Sequence, residues 1–270
     1  MSSRLLVLIL MLSVGCGVVF ADQIEATDTD AKRSMTIWMS ENGVPTQGLA
    51  GVILIDLITA KGTYHRDTLC VDLFKNIYLG SQYSTTVLTP SEATAKYGKE
   101  NLGLVSWLID NALVPKEGSF SSVLPSADWV TTSVQGAGIQ LAVWDLVEDN
   151  GDGLSKGKVG MSTTAGELTD PDVVKWAETY ECLALGPESP SCLLAGITPL
   201  GPGHPSNDAF VYINSDNNAQ MLEGPLFRDG GPKPNPEPST FALVGGGLIA
   251  ASLLLRKKFG YRSRKAVPAA

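Results

Sequence analysis

The chain has 270 residues, with 28 Asp and Glu against 20 Lys and Arg and a formal net charge of -8. All 28 acids fall between Asp22 and Glu237, with only 13 of the bases, so that stretch stands at -15. A body this acidic, with no basic patch, excludes nucleic acid and anionic lipid as natural partners.

Arg4 gives a positive start, Leu5 to Leu12 is an unbroken apolar run, and Val14 to Phe20 stays mostly apolar. Ala21 puts a small residue at the exit, ahead of the polar Asp22 and Gln23. This order predicts a secretory signal peptide over residues 1–21. The run falls short of the ~20 residues a spanning helix needs, which favours cleavage over a membrane anchor. Residues 22–223 show no internal repeat or linker and are expected to form one extracytoplasmic module.

Within that module Ser34 to Ser40 alternates as a strand, and Gly51 to Leu57 is apolar and β-branched, a buried strand. Thr63 to Leu73 is expected to pair with it across a turn at Lys61-Gly62, which places Cys70 toward a strand end. Gln82 to Leu88 is a further strand. Helical patterning follows: Ser91 to Tyr97 after Pro90, then Asn101 to Leu113, then a helix from Val134 or Ala137 to Glu148. A fourth helix is expected from Pro171 to Leu185, capped by Thr169. Strands return at Ala209 to Ile213 and Ala219 to Leu222. Strands, helices, then strands give an α+β domain, a β-sheet or sandwich-like framework with an inserted helical group.

Cys16 leaves with the signal peptide, so Cys70, Cys182 and Cys192 remain. An exported compartment favours disulfides, and Pro187 and Pro190 shape a loop that brings Cys182 to Cys192. Cys70 is then left for intermolecular pairing, an unoxidised thiol, special chemistry, or inert burial. It sits in Leu69-Cys70-Val71-Asp72-Leu73. Gln140 lies in Ile139-Gln140-Leu141-Ala142-Val143-Trp144, near the expected helix start, and an amide in so apolar a run needs partners or a purpose.

These two motifs resemble those of the thioester domains of bacterial surface proteins. The family pairs a cysteine preceded by an apolar residue with a downstream glutamine-x-alanine-aliphatic-tryptophan motif. By that resemblance Cys70 is the thioester cysteine and Gln140 the acyl donor, with Leu69, Ala142 and Trp144 in supporting places. Ile139 stands where threonine is frequent. The resemblance implies an internal thioester, opened by a partner's amine or hydroxyl to leave a covalent bond at position 140. A helix N-terminus near Gln140 would polarise the carbonyl. The bland alternative has Cys70 packing, Gln140 capping a helix and Trp144 in the core.

Other signals are weaker. Glu148-Asp149-Asn150-Gly151-Asp152-Gly153 looks like a calcium loop, but the twelfth position is Val159, where an EF-hand needs glutamate. A polar turn ending the helix is the preferred reading. His65 and His204 have no metal-ligand spacing, and no nucleophilic triad, phosphate-binding glycine loop or dinucleotide fingerprint is visible. No catalytic residue, metal or cofactor is therefore expected, and the protein is expected not to be an enzyme.

Gly224 to Pro238 is rich in Pro and Gly and reads as a linker. Pro236-Glu237-Pro238 precedes an apolar run to Leu255, and Arg256-Lys257-Lys258 closes it. Residues 239–258 are expected to span the inner membrane, with residues 259–270 as a cytoplasmic tail. The layout resembles the PEP-CTERM sorting signal read by exosortases, membrane enzymes of Gram-negative bacteria. That resemblance implies an exported protein at the cell envelope or outside the cell, with an exosortase as partner. Such signals accompany exopolysaccharide production, so a biofilm matrix setting is implied. A surface protein, matrix protein or polysaccharide is the expected further partner.

Overall fold

The computed structural model describes residues 22–60, 62–114, 122–187, 189, 191–192, 205–206, 209–214 and 221–224. These fall within one compact unit, Phe20–Pro234. The expected signal peptide at 1–21, the sorting motif and the expected span at 239–258 lie outside the described residues, as does most of the linker. Among the described residues no helix is long and apolar enough to cross a membrane.

Seven strands and four helices follow in order: β1 (Asp22–Glu41), β2 (Val44–Thr59), β3 (Gly62–Cys70), β4 (Gln82–Leu88), α1 (Pro90–Tyr97), α2 (Leu102–Ala112), α3 (Ser133–Glu148), β5 (Val159–Gly160), α4 (Pro171–Leu185), β6 (Phe210–Asn214) and β7 (Leu222–Gly224). The α+β class holds, and the helices are inserted between β4 and β6. The framework is one antiparallel sheet rather than two stacked sheets. Its order is β2-β3-β7-β6-β4-β1-β5, and β2 also pairs with β1, so six strands close into a ring with β5 added to β1. Closure removes the exposed edges that an open sheet would have to protect.

Two devices produce this geometry. Asn42 and Gly43 both adopt positive φ, 53° and 80°, and connect β1 to β2 through a two-residue turn suited to strand twist. Sequence periodicity caught only the C-terminal part of β1 and the latter half of β2 and missed this Asn-Gly hairpin. The second device is an irregularity between Thr29 and Ser34 of β1, where the register against β2 shifts. Gly51 lies opposite Ser34 with φ of 132°, and a Cβ there would meet the Arg33 carbonyl oxygen at 2.3 Å. Arg33 is buried at this bend. Its guanidinium donates to Asp67 at 2.8 Å and to the Val114 carbonyl at 2.6 Å, and it pairs with Asp30.

Helix α3 forms the centre. A capping box links Thr132 and Gln135 at its start. Its residues from Gln135 to Val147 are buried on every side, packed against β1, β2, β3, β5 and helices α2 and α4. The expectation that Thr169 caps α4 is corrected. Asp170 is the cap and accepts from the Asp172 N–H, while Thr169 Oγ1 donates to the Trp38 carbonyl and ties α4's entry to β1. Gly224, expected in the linker, ends β7 opposite Phe210. Cys182, on α4, is disulfide-bonded to Cys192.

Glu223 is fully buried on β7, between Leu69 of β3 and Val211 of β6, and both its carboxylate oxygens lack partners among the described residues. Burial, reinforced by the Asp110 charge, raises its carboxyl well above the usual range. The folded chain therefore keeps a proton that the unfolded chain releases near pH ~4.3. Stability is lost as pH rises from there toward the raised value, by about 1.4 kcal/mol per pH unit. Glu223→Gln is expected to remove that part of the slope in urea unfolding as pH rises above about 5. Parallel slopes for the two proteins would show that Glu223 is not protonated in the fold.

The close seating of α3 gives a second expectation. A Cβ on Gly136 would lie 1.8 Å from the Arg33 carbonyl oxygen, a backbone atom fixed by the bend. Gly136→Ala should cost about 3 kcal/mol or more, read as a lowered melting temperature. An unchanged melt would show that α3 does not seat against Arg33.

Candidate functional site

Cys70 is the last residue of β3, and alternate residues of a strand address opposite neighbours. The Val71 N–H donates to the Met221 carbonyl at 2.9 Å, on the β7 side. Cys70 turns its own N–H and C=O the other way. There the β2–β3 ladder has already ended at Ile53 opposite Thr68, because β2 bends away at Gly51.

Gln140 of α3 fills the gap. The Cys70 N–H donates to Gln140 Oε1 at 2.9 Å, and Gln140 Nε2 donates to the Cys70 carbonyl at 2.7 Å. The carboxamide thus completes Cys70's hydrogen bonding as a neighbouring strand would. Gln140 is 1% exposed and Cys70 4%. The two motifs that lie far apart in sequence are therefore in direct contact.

The surroundings are apolar and closed. Leu69, Ile139 and Ala142 are completely buried, and Trp144, one turn beyond Gln140, is nearly so. The Trp144 Nε1 lacks a partner among the described residues. Burial pushes the Cys70 thiol well above its ordinary pKa, and the Asp72 carboxylate adds to this. Asp72 is itself held by Lys75 at 3.3 Å and Lys99 at 3.8 Å, and Lys99 also pairs with Glu148. The thiol is therefore protonated at neutral pH, the opposite of an activated cysteine.

Two expectations about Gln140 are corrected. The helix begins at Ser133, so Gln140 sits in its middle, and neither helix-end polarisation nor capping applies. The cap is Thr132, which the apolar periodicity did not reveal but whose capping-box pattern with Gln135 is readable in the sequence. His65 lies exposed beside Asp56, and His204 is outside the described residues.

A second group forms at the end of α3. Ligand oxygens of Asp145, Asp149 and Asp152 lie within 4.8 Å of one another. Asp149 and Asp152 belong to the segment read as a polar turn. Asp145 was missed because one carboxylate in an apolar helix has no local signature. Buried Glu181 of α4 faces it and was missed for the same reason.

Comparison with curated proteins and with solved structures finds no match. The model of the PEP-CTERM protein-sorting motif matches residues 236–258. The matched stretch contains Pro236, Glu237 and Pro238 and ends at the basic cluster. The protein therefore carries an exosortase-read sorting signal and is an exported, envelope-associated surface or matrix protein.

Proposed function

We propose that the exported body is a non-enzymatic surface or matrix module that forms an internal thioester between Cys70 and Gln140 for covalent attachment to a partner amine. The observation that carries this reading is the pair of hydrogen bonds holding the Gln140 carboxamide against the Cys70 main chain, with both residues buried. In the first step Cys70 Sγ bonds to the Gln140 side-chain carbonyl carbon. The carbon–nitrogen bond breaks, and the thiol proton leaves with the nitrogen as ammonia. Negative charge builds on Oε1 as sulfur adds, and the Cys70 N–H already donates to that oxygen. Since burial and Asp72 disfavour the thiolate, the proton moves together with the sulfur's attack rather than before it.

In the second step an amine on a protein or glycan partner attacks the same carbon. An amide forms at position 140, and the amine's proton returns to Cys70 as the carbon–sulfur bond breaks. Leu69 and Trp144 exclude water until then. Membrane anchoring through 239–258 before sorting, and a biofilm setting, belong to this proposal.

A second reading draws on the same contact. Gln140 acts as a surrogate strand that satisfies Cys70, and the protein is a non-reactive structural or exopolysaccharide-associated matrix component. Intact mass of the exported protein, before and after methylamine, separates the two. The thioester predicts a mass one ammonia below the processed sequence, beyond the two hydrogens lost to the disulfide. It also predicts a methylamine adduct at Gln140 that Cys70→Ala abolishes. A full mass without adduct leaves the surrogate strand, and adducts that persist in Cys70→Ala overturn the thioester.

A further inference from the structure

The acidic group at the end of α3 differs from a solvated charged surface. Asp145 is completely buried, and its Oδ1 meets no N–H or hydroxyl donor among the described residues. Its other oxygen accepts from the Gly153 N–H at 3.2 Å. Asp149 Oδ2 accepts from the N–H groups of Lys158 and Val159, both at 2.7 Å. Asp152 Oδ1 is buried and lacks a partner. The chain returns over these oxygens at Gly157, where a Cβ would lie 2.7 Å from Asp149 Oδ2 and 2.9 Å from Asp152 Oδ1. The loop thus wraps the carboxylates so tightly that only glycine fits.

Glu181 supplies an independent sign. It comes from α4, is completely buried, and faces Asp145. Its Oε2 accepts from the Ser191 hydroxyl, and its carboxyl stands within hydrogen-bonding reach of the Asp145 carboxyl. Two facing carboxyls in a protein interior need either a shared proton or a cation between them. Lys156, 4.0 Å from Asp152, is largely exposed.

We propose that Asp145, Asp149 and Asp152, backed by Glu181, bind a calcium ion that clasps the end of α3 to its following loop and to α4. The donors are all carboxylate oxygens, which suit a hard cation, not zinc or copper. Calcium accepts about six to eight oxygens in irregular geometry, so backbone carbonyls and water complete the shell. The site is distinct from an EF-hand: the first ligand is on the preceding helix, which is why loop spacing alone rejected it. In an exported protein the ion is drawn from outside the cytoplasm.

The test uses the exported protein, stripped with EDTA and dialysed. Calcium chloride titrated by calorimetry is expected to bind with one ion per chain and to raise the melting temperature, with magnesium doing less. Asp152→Asn lies on the partly exposed rim and should keep the wild-type melt in EDTA. It should bind calcium about tenfold more weakly or worse. Glu181→Gln tests the contribution from α4 and should also weaken binding. No heat and no calcium-dependent melt would overturn the site and leave Asp145 and Glu181 sharing a proton. Wild-type affinity in Asp152→Asn, or weak multiple binding without a change in melt, would overturn it equally.

Discussion

Helix α3 is buried on every side from Gln135 to Val147, and the rest of the fold is arranged to enclose it. The sheet wraps one flank, α2 and α4 cover the others, and two glycines let neighbours come close. Gly136 admits the Arg33 carbonyl, and Gly138 admits the Trp176 side chain. Arg33 is held in turn by Asp30, Asp67 and the Val114 carbonyl. Burying that guanidinium is tolerable because its donors meet carboxylates and a backbone oxygen. The bend it fixes also makes β2 turn away from the end of β3.

That departure creates the site. Cys70 is left with a main chain that lacks a β2 partner, and a buried backbone amide must find one. The carboxamide of Gln140 meets it, and it meets both groups at once. The same contact serves stability and places a nucleophile's backbone beside an acyl carbon. The same arrangement suits a polar clamp and the proposed thioester alike, which is why chemistry on the intact protein decides between them. The sorting signal sets the context: a covalent attachment made outside the cytoplasm persists where no cellular machinery renews it.

The same helix carries Asp145, so its two ends of chemistry are linked through one rigid element. A cation at the acidic group would fasten α3 to α4, whose own C-terminal end is tied by the Cys182–Cys192 disulfide. Buried carboxylates such as Asp145 and Glu181 are expensive unless a counter-charge or shared proton resolves them. Glu223 shows the third resolution, a carboxyl kept neutral by burial.

Much of this was legible in the sequence. The sorting motif and its basic stop are linear patterns, readable without a fold. The bounds of β4 and α4 follow from Pro, Gly and apolar periodicity, and the short spacing of Cys182 and Cys192 makes their pairing local. Cys70 and Gln140 were marked by residue type, since a lone exported cysteine and an amide within an apolar run both need explaining. Closure of the sheet was not legible, because it depends on β1 pairing with both β2 and β4. Nor was the surrogate-strand contact, which arises only where β2 bends away from β3. The grouping of Asp145 with Glu181 likewise needed α3 and α4 to pack. Linear signals record what a neighbour along the chain must satisfy. Contacts across the fold depend on where strands end and helices cross, and the tertiary structure alone decides that.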